Sequence, residues 1–171
     1  MGGRILYLDF DGVLHPEDVW RRPGTGPYVA TPPGHVVLEH ARLLADLLAP
    51  YPDVRIVLST SWVIVYGSVR KVAHRLPDGL RARVIGATFH RDMDASLFRA
   101  MPRGLQVCAD VIRRRPEAWL SLDDDGHGWP DWAKGHLVLT DPVLGIAVPA
   151  AIAGLKAGLA GMATEDARHR V

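Results

Sequence analysis

The sequence predicts an α/β fold, a parallel sheet with helices on both faces, as a single domain over 1–171. Three observations carry this. Apolar runs of strand length alternate with segments whose apolar residues recur at helical spacing. The main apolar runs each stop at a polar cluster: Asp9/Asp11, Ser59/Thr60/Ser61 and Asp123/Asp124/Asp125. At 171 residues the chain can fill one core and is short for two. Strand, helix, strand in repetition implies a parallel sheet with right-handed crossovers.

Residues 4 to 10, with Ile5-Leu6-Tyr7-Leu8, read as the first buried strand. Residues 15 to 34, rich in Pro and Gly around Arg21 and Arg22, read as an irregular loop. Val36, Val37, His40, Leu43, Leu44, Leu47 and Leu48 predict a helix over 35–49, stopped by Pro50 and Pro52. Val54-Arg55-Ile56-Val57-Leu58 is the second strand, followed by a short helix over 65–76. Arg83-Val84-Ile85-Gly86 is a shorter strand, and 87–102 read as irregular. Leu105, Val107, Cys108, Val111 and Ile112 predict a helix over 103–115, with Arg113-Arg114-Arg115 as a solvent-facing cluster at its C-terminus. Trp119-Leu120-Ser121-Leu122 and His136-Leu137-Val138-Leu139 are the last strands. The core spans about 4–148, an Ala/Gly-rich helix covers 149–162, and 163–171 form a polar tail.

Hydrophobic residues make up 48% of the chain and charged residues 23%, as in ordinary globular domains. A net charge of +1 argues against a strongly electrostatic surface overall, though a local basic patch fits within it. The single cysteine, Cys108, rules out an internal disulfide framework and a cysteine zinc cluster, and reads as a core residue. No apolar run approaches the ~18 residues of a membrane span, and Met1-Gly2-Gly3-Arg4 leads straight into the first strand, so the expectation is a cytoplasmic protein without a membrane partner. Composition leaves the oligomeric state open.

Parallel strands bring their carboxyl ends to one side of the sheet, where ligands of open α/β folds bind. The three polar clusters therefore converge there. Two carboxylates one residue apart, Asp9 and Asp11, repel each other unless a cation or a proton joins them. The pattern predicts a divalent metal and chemistry on a negatively charged group.

Taken in order, Asp9-Phe10-Asp11-Gly12, Thr60 within Leu58-Ser59-Thr60-Ser61, and Leu122-Asp123-Asp124 resemble motifs one, two and four of the haloacid dehalogenase superfamily of phosphohydrolases. Together with Val13-Leu14-His15-Pro16 and Trp62 they are similar to the small haloacid dehalogenase domain of multi-enzyme RNA repair proteins, over about 4–148. The resemblance implies a Rossmann-like core, Mg²⁺ as cofactor and a phosphorylated substrate, with nucleic-acid or nucleotide phosphate ends as the narrower reading. It implies Asp9 as nucleophile, forming an aspartyl-phosphate, and Asp11 as general acid and base. Asp9, the backbone carbonyl of Asp11, and Asp124 would hold the metal, with Asp123 as the reserve. Thr60 would hold a phosphoryl oxygen, and Ser61 and His15 are further candidates for substrate contact. The third motif needs a cation before the fourth. Arg103, opening a helix, is the choice over Arg91, Arg99 and Lys71, although the family more often uses lysine there. About 48 residues separate Asp11 from Thr60, too few for a full cap domain, so the site is expected to be capless or minimally capped.

Two other readings use the same residues. A receiver-like signalling module also carries acids at strand ends, but there the phosphorylated Asp ends the third strand. A phosphotransferase would pass the group from Asp9 to an acceptor other than water. Trp129 and Trp132 read as loop packing, with base stacking as their alternative.

Overall fold

Alternation of side chains along β1 (Arg4–Leu8) divides the molecule into two layers. Leu6 and Leu8 enter one hydrophobic cluster, while Ile5 and Tyr7 enter the other. A strand buried on both faces reads as an unbroken apolar run, which is why Ile5–Leu8 was legible. The computed structural model describes residues 3–169, with side chains as far as Thr164. Its main sheet contains β4 (Arg55–Leu58), β5 (Val84–Ala87), β6 (Ala118–Asp123) and β7 (Leu137–Leu139) beside β1, in the order β5-β4-β1-β6-β7. All pairings in it are parallel.

The helices are α1 (Ala41–Leu48), α2 (Trp62–Tyr66), α3 (Val69–Ala73), α4 (Asp78–Arg81), α5 (Ala95–Ala100), α6 (Arg103–Arg114), α7 (Asp131–Lys134) and α8 (Pro149–His169). Leu44 and Leu48 of α1, Val72 of α3 and Leu155 and Leu159 of α8 cover the Leu6/Leu8 face. Val107 and Cys108 of α6 and Ala133 of α7 cover the Ile5/Tyr7 face, with Trp119 and Trp129. The α/β, Rossmann-like architecture with helices on both faces is therefore present. Cys108 is a buried free thiol, and burial pushes its pKa up. Among the described residues no helix is long and apolar enough to cross a membrane.

Several elements differ from the sequence expectation. The segment 15–34 is not irregular. It contains a second, two-stranded antiparallel sheet of β2 (Asp18–Arg22) and β3 (Gly26–Thr31). Trp20 pairs with Tyr28 and Val19 with Val29, β-forming residues whose signal was masked by the Pro/Gly turn between them. The helix over 35–49 begins only at Ala41, because Leu38 adopts a left-handed φ of 62°. The helix over 65–76 is split into α2 and α3 at Gly67, which also has a positive φ. Within the supposedly irregular 87–102, Asp94 caps α5 by accepting from the N–H groups of Ser96 and Leu97. The final helix continues through the expected tail to His169, and residues 170–171 lie outside the described residues.

Arg113 and Arg114 are not a purely solvated cluster. Asp110, one turn back and buried, accepts hydrogen bonds from Arg113, from Arg114 Nε at 2.6 Å and from the Tyr7 hydroxyl at 3.1 Å. Arg113 remains exposed despite this contact, and Arg115 is the exposed, left-handed end of α6.

Candidate active site

Strand register gathers the polar clusters at one edge. Leu8 pairs with Leu58 and with Leu122, so Asp9, Ser59 and Asp123 come next, side by side. The ladder continues past the strands. Asp9 N–H donates to Leu122 O at 3.1 Å, Ser59 N–H to Leu8 O at 2.8 Å and Thr140 N–H to Asp123 O at 3.0 Å. Connections leave β1 toward β4 on one side and return to β6 on the other, which makes β1 the point where strand order reverses and a crevice opens.

After Asp9 the chain makes a single tight turn. Phe10 N–H donates to Asp9 Oδ1 at 2.7 Å, and Val13 and Leu14 N–H both donate to Phe10 O. Gly12 carries φ +70°, and a Cβ there would stand 2.2 Å from Asp124 Oδ2. Only glycine meets both conditions. Thr140 Oγ1 donates to Gly12 O at 2.7 Å and ties the turn to the end of β7.

Oxygens of Asp9, Asp123 and Asp124 all lie within 4.8 Å of one another. Arg103 reaches this group from the first turn of α6, its Nη2 3.1 Å from Asp9 Oδ2 and its Nε 3.5 Å from Asp123 Oδ2. Asp123 Oδ1 accepts from Asp125 N–H, but its buried Oδ2 has no hydrogen bond. Burial is the largest influence on every member. It pushes Asp9 and Asp123 up, the charge of each neighbouring acid adds to the rise, and Arg103 works against it. Asp124 is pushed up to about 6, by burial and by Glu17 and Asp125. Burial works to lower the Arg103 pKa, yet Asp9, Asp123, Asp11 and Asp124 outweigh it and raise it. Three crowded acids facing one guanidinium therefore hold protons more readily than free carboxylates do, and a further cation would relieve their repulsion.

The carboxylate of Asp11 stands outside that group. Trp62 Nε1 donates to its Oδ1 at 2.9 Å and to its Oδ2 at 3.1 Å. His15 Nε2 lies 3.0 Å from Oδ1. Leu38 N–H donates to His15 Nδ1, so the proton of the neutral ring sits on Nε2 and is donated to Asp11. His15 is fully buried, and the group it contacts at the site is Asp11. Thr60 is buried at the end of β4 and its hydroxyl oxygen lies 3.4 Å from the Trp62 N–H that donates to it. Ser61 is half-buried and lines a cavity of about 120 Å³ with Asp11, Trp62 and Arg21. The other cations considered for the third motif, Arg91, Arg99 and Lys71, are exposed, and Arg91 lies beside Asp92.

Two residues of the site escaped the sequence reading. Trp62 is buried, and its indole N–H serves Asp11. Its position two residues after Thr60, at the same strand end, was the available signal. Gln106 accepts from Arg103 Nη1 at 3.2 Å and donates to Phe98 O and Met101 O, both at 2.9 Å. Nothing in an amphipathic helix marks such a glutamine in advance. Trp129 packs its loop, donating from Nε1 to Asp125 O, while Trp132 is exposed and edge-on to Trp119.

A family model described as the HAD domain in Swiss Army Knife RNA repair proteins matches residues 5–151. No curated protein and no solved structure matches the chain.

Proposed function

The chain belongs to the family of HAD domains of Swiss Army Knife RNA repair proteins, and on that premise we propose that it is a Mg²⁺-dependent phosphatase, a single domain that passes a phosphoryl group to Asp9 and then to water. One observation carries this reading: Asp9, Asp123 and Asp124 meet within 4.8 Å, and Arg103 stands 3.1 Å from Asp9. The donor set is all oxygen and carries surplus negative charge, and the unbonded Asp123 Oδ2 adds a ready ligand. That suits a hard divalent ion such as Mg²⁺. Asp9, Asp124 and Asp123, with the Asp11 carbonyl, would hold it, and bound there it would offset the charge of the phosphoryl oxygens.

The chain's own groups supply the rest. Phe10 N–H fixes the rotation of the Asp9 carboxylate, which attacks phosphorus. Arg103 offers its guanidinium to the transferring group and Thr60 its hydroxyl to a phosphoryl oxygen. Asp11, clamped by Trp62 and His15, protonates the leaving oxygen and later takes a proton from the attacking water. Between β1 and β4 the hairpin is the only additional sheet, so the site stays open to bulky leaving groups. Nucleic-acid or nucleotide phosphate ends fit that opening and the family premise.

Acid quenching after incubation with radiolabelled p-nitrophenyl phosphate and Mg²⁺ tests the reading. We expect label on the peptide containing Asp9, released by hydroxylamine, and none on an Asp9→Asn variant. Label elsewhere, or no phosphate release from p-nitrophenyl phosphate and from oligonucleotides phosphorylated at either end, overturns it.

A further inference from the structure

The β2–β3 hairpin and the α2–α3 segment enclose a groove of about 620 Å³ lined by Arg21, Arg22, Tyr66 and Arg75. Arg21 and Tyr66 also line the smaller cavity that holds Asp11 and Ser61, so groove and candidate site are continuous. Two guanidinium groups share one ring: Arg21 lies 4.6 Å and Arg75 4.3 Å from the centroid of Tyr66. Arg22 lies 4.6 Å from the centroid of Tyr28. Among the described residues no carboxylate lies within ion-pair distance of any of the three. Like charges held together on one ring repel unless an anion joins them. A guanidinium over a ring keeps N–H donors for a phosphate, and its rotamer entropy is already spent.

We propose that Arg21, Arg22 and Arg75 form a second anion subsite that holds a phosphodiester of a nucleic-acid strand whose terminal phosphate reacts at Asp9. A strand repeats its charge at short intervals, so one molecule can fill both cavities. Trp20, 60% exposed on the same hairpin, offers a ring face to a base. The identity of the reacting group rests on the phosphatase reading; the anion subsite does not.

The test uses binding as well as turnover. A fluorescent trinucleotide bearing a terminal phosphate is compared with the same molecule carrying neutral methylphosphonate linkages, by anisotropy and by phosphate release. Exposed guanidinium–phosphate contacts contribute a few-fold each, so the charged strand should bind about tenfold tighter at low salt. Arg21→Gln, Arg22→Gln and Arg75→Gln should each cut that preference about twofold, and the triple substitution should abolish it. Arg22 sits on the exposed hairpin, so a folding defect at Arg75 leaves the outcome readable there. Equal binding of the charged and neutral strands, a preference that survives the triple substitution, or tighter binding of an equally charged acidic phosphopeptide overturns the subsite. Charge-selective binding without any phosphate release upholds the subsite and overturns the phosphatase.

Discussion

At the scale of single residues, the chemistry depends on how Asp11 and Asp124 are held. Trp62 gives Asp11 an indole N–H across 51 positions of sequence. Trp62→Phe keeps most of the ring volume and removes that donor. A hydrogen bond to a charged group contributes about 1.5–3 kcal/mol, so kcat should fall about tenfold or more while the far-ultraviolet spectrum is unchanged. An unaltered kcat would mean that His15 alone orients the carboxylate. Gly12→Ala places a methyl 2.2 Å from Asp124 Oδ2 at a left-handed φ. We expect a loss of about 1–3 kcal/mol in urea unfolding and weaker Mg²⁺ binding by calorimetry. His40 governs a pH effect. Its Nε2 is buried without a hydrogen bond. Burial lowers its pKa below 6.5; Glu39, 3.5 Å away, opposes this, and His35 and His15 reinforce it. Below 6.5 the unfolded chain therefore binds more protons than the folded one, and stability is lost as pH falls through that value. The melting temperature should drop between about pH 7.5 and 5.5, and drop less in His40→Gln. Equal drops in the two proteins would exclude His40 as the cause.

At the scale of elements, the start of α6 decides where the guanidinium sits. Gly104 lets the helix approach the 126–129 loop; a Cβ there would stand 2.7 Å from Gly128 O. Gln106 then ties α6 to the end of α5 through Phe98 O and Met101 O while holding Arg103. Gln106→Leu strips two carbonyls of their donor and frees the arginine. A loss of about 1–3 kcal/mol in denaturant unfolding should accompany reduced turnover. Lower stability with unchanged kcat would mean that Arg103 is positioned by Asp9 and Asp123 alone.

At the scale of the molecule, the site is where β1, β6 and α6 meet, so a cation there ties distant parts of the chain together. A Mg²⁺ ion held by these acids would bind only the folded arrangement, and a hundredfold excess over Kd would contribute about 2.7 kcal/mol. For a chain of this size the melting temperature should rise by about 5–10 °C at millimolar Mg²⁺. Asp123→Asn and Asp124→Asn should each remove most of that rise. A melting temperature indifferent to Mg²⁺, in scanning calorimetry, would show that the three acids do not hold the ion.

Local pattern determined much of this protein. Unbroken apolar runs marked β1, β4 and β6, and the polar groups at their carboxyl ends, Asp9, Ser59 with Thr60, and Asp123, were readable as a converging set because parallel strands share one carboxyl edge. Arg103 was legible from its place at a helix start. The hairpin was not, since its Pro/Gly turn hid the alternation that pairs Trp20 with Tyr28. Nor were the partners of Asp11, Asp110 and Arg103, for side-chain pairing across 51 or 103 positions follows from strand register and helix docking. Periodicity records which way a residue faces; only the packed tertiary structure decides which groups it meets, because hydrogen bonds form between neighbours in space and carry no trace in the spacing of the sequence.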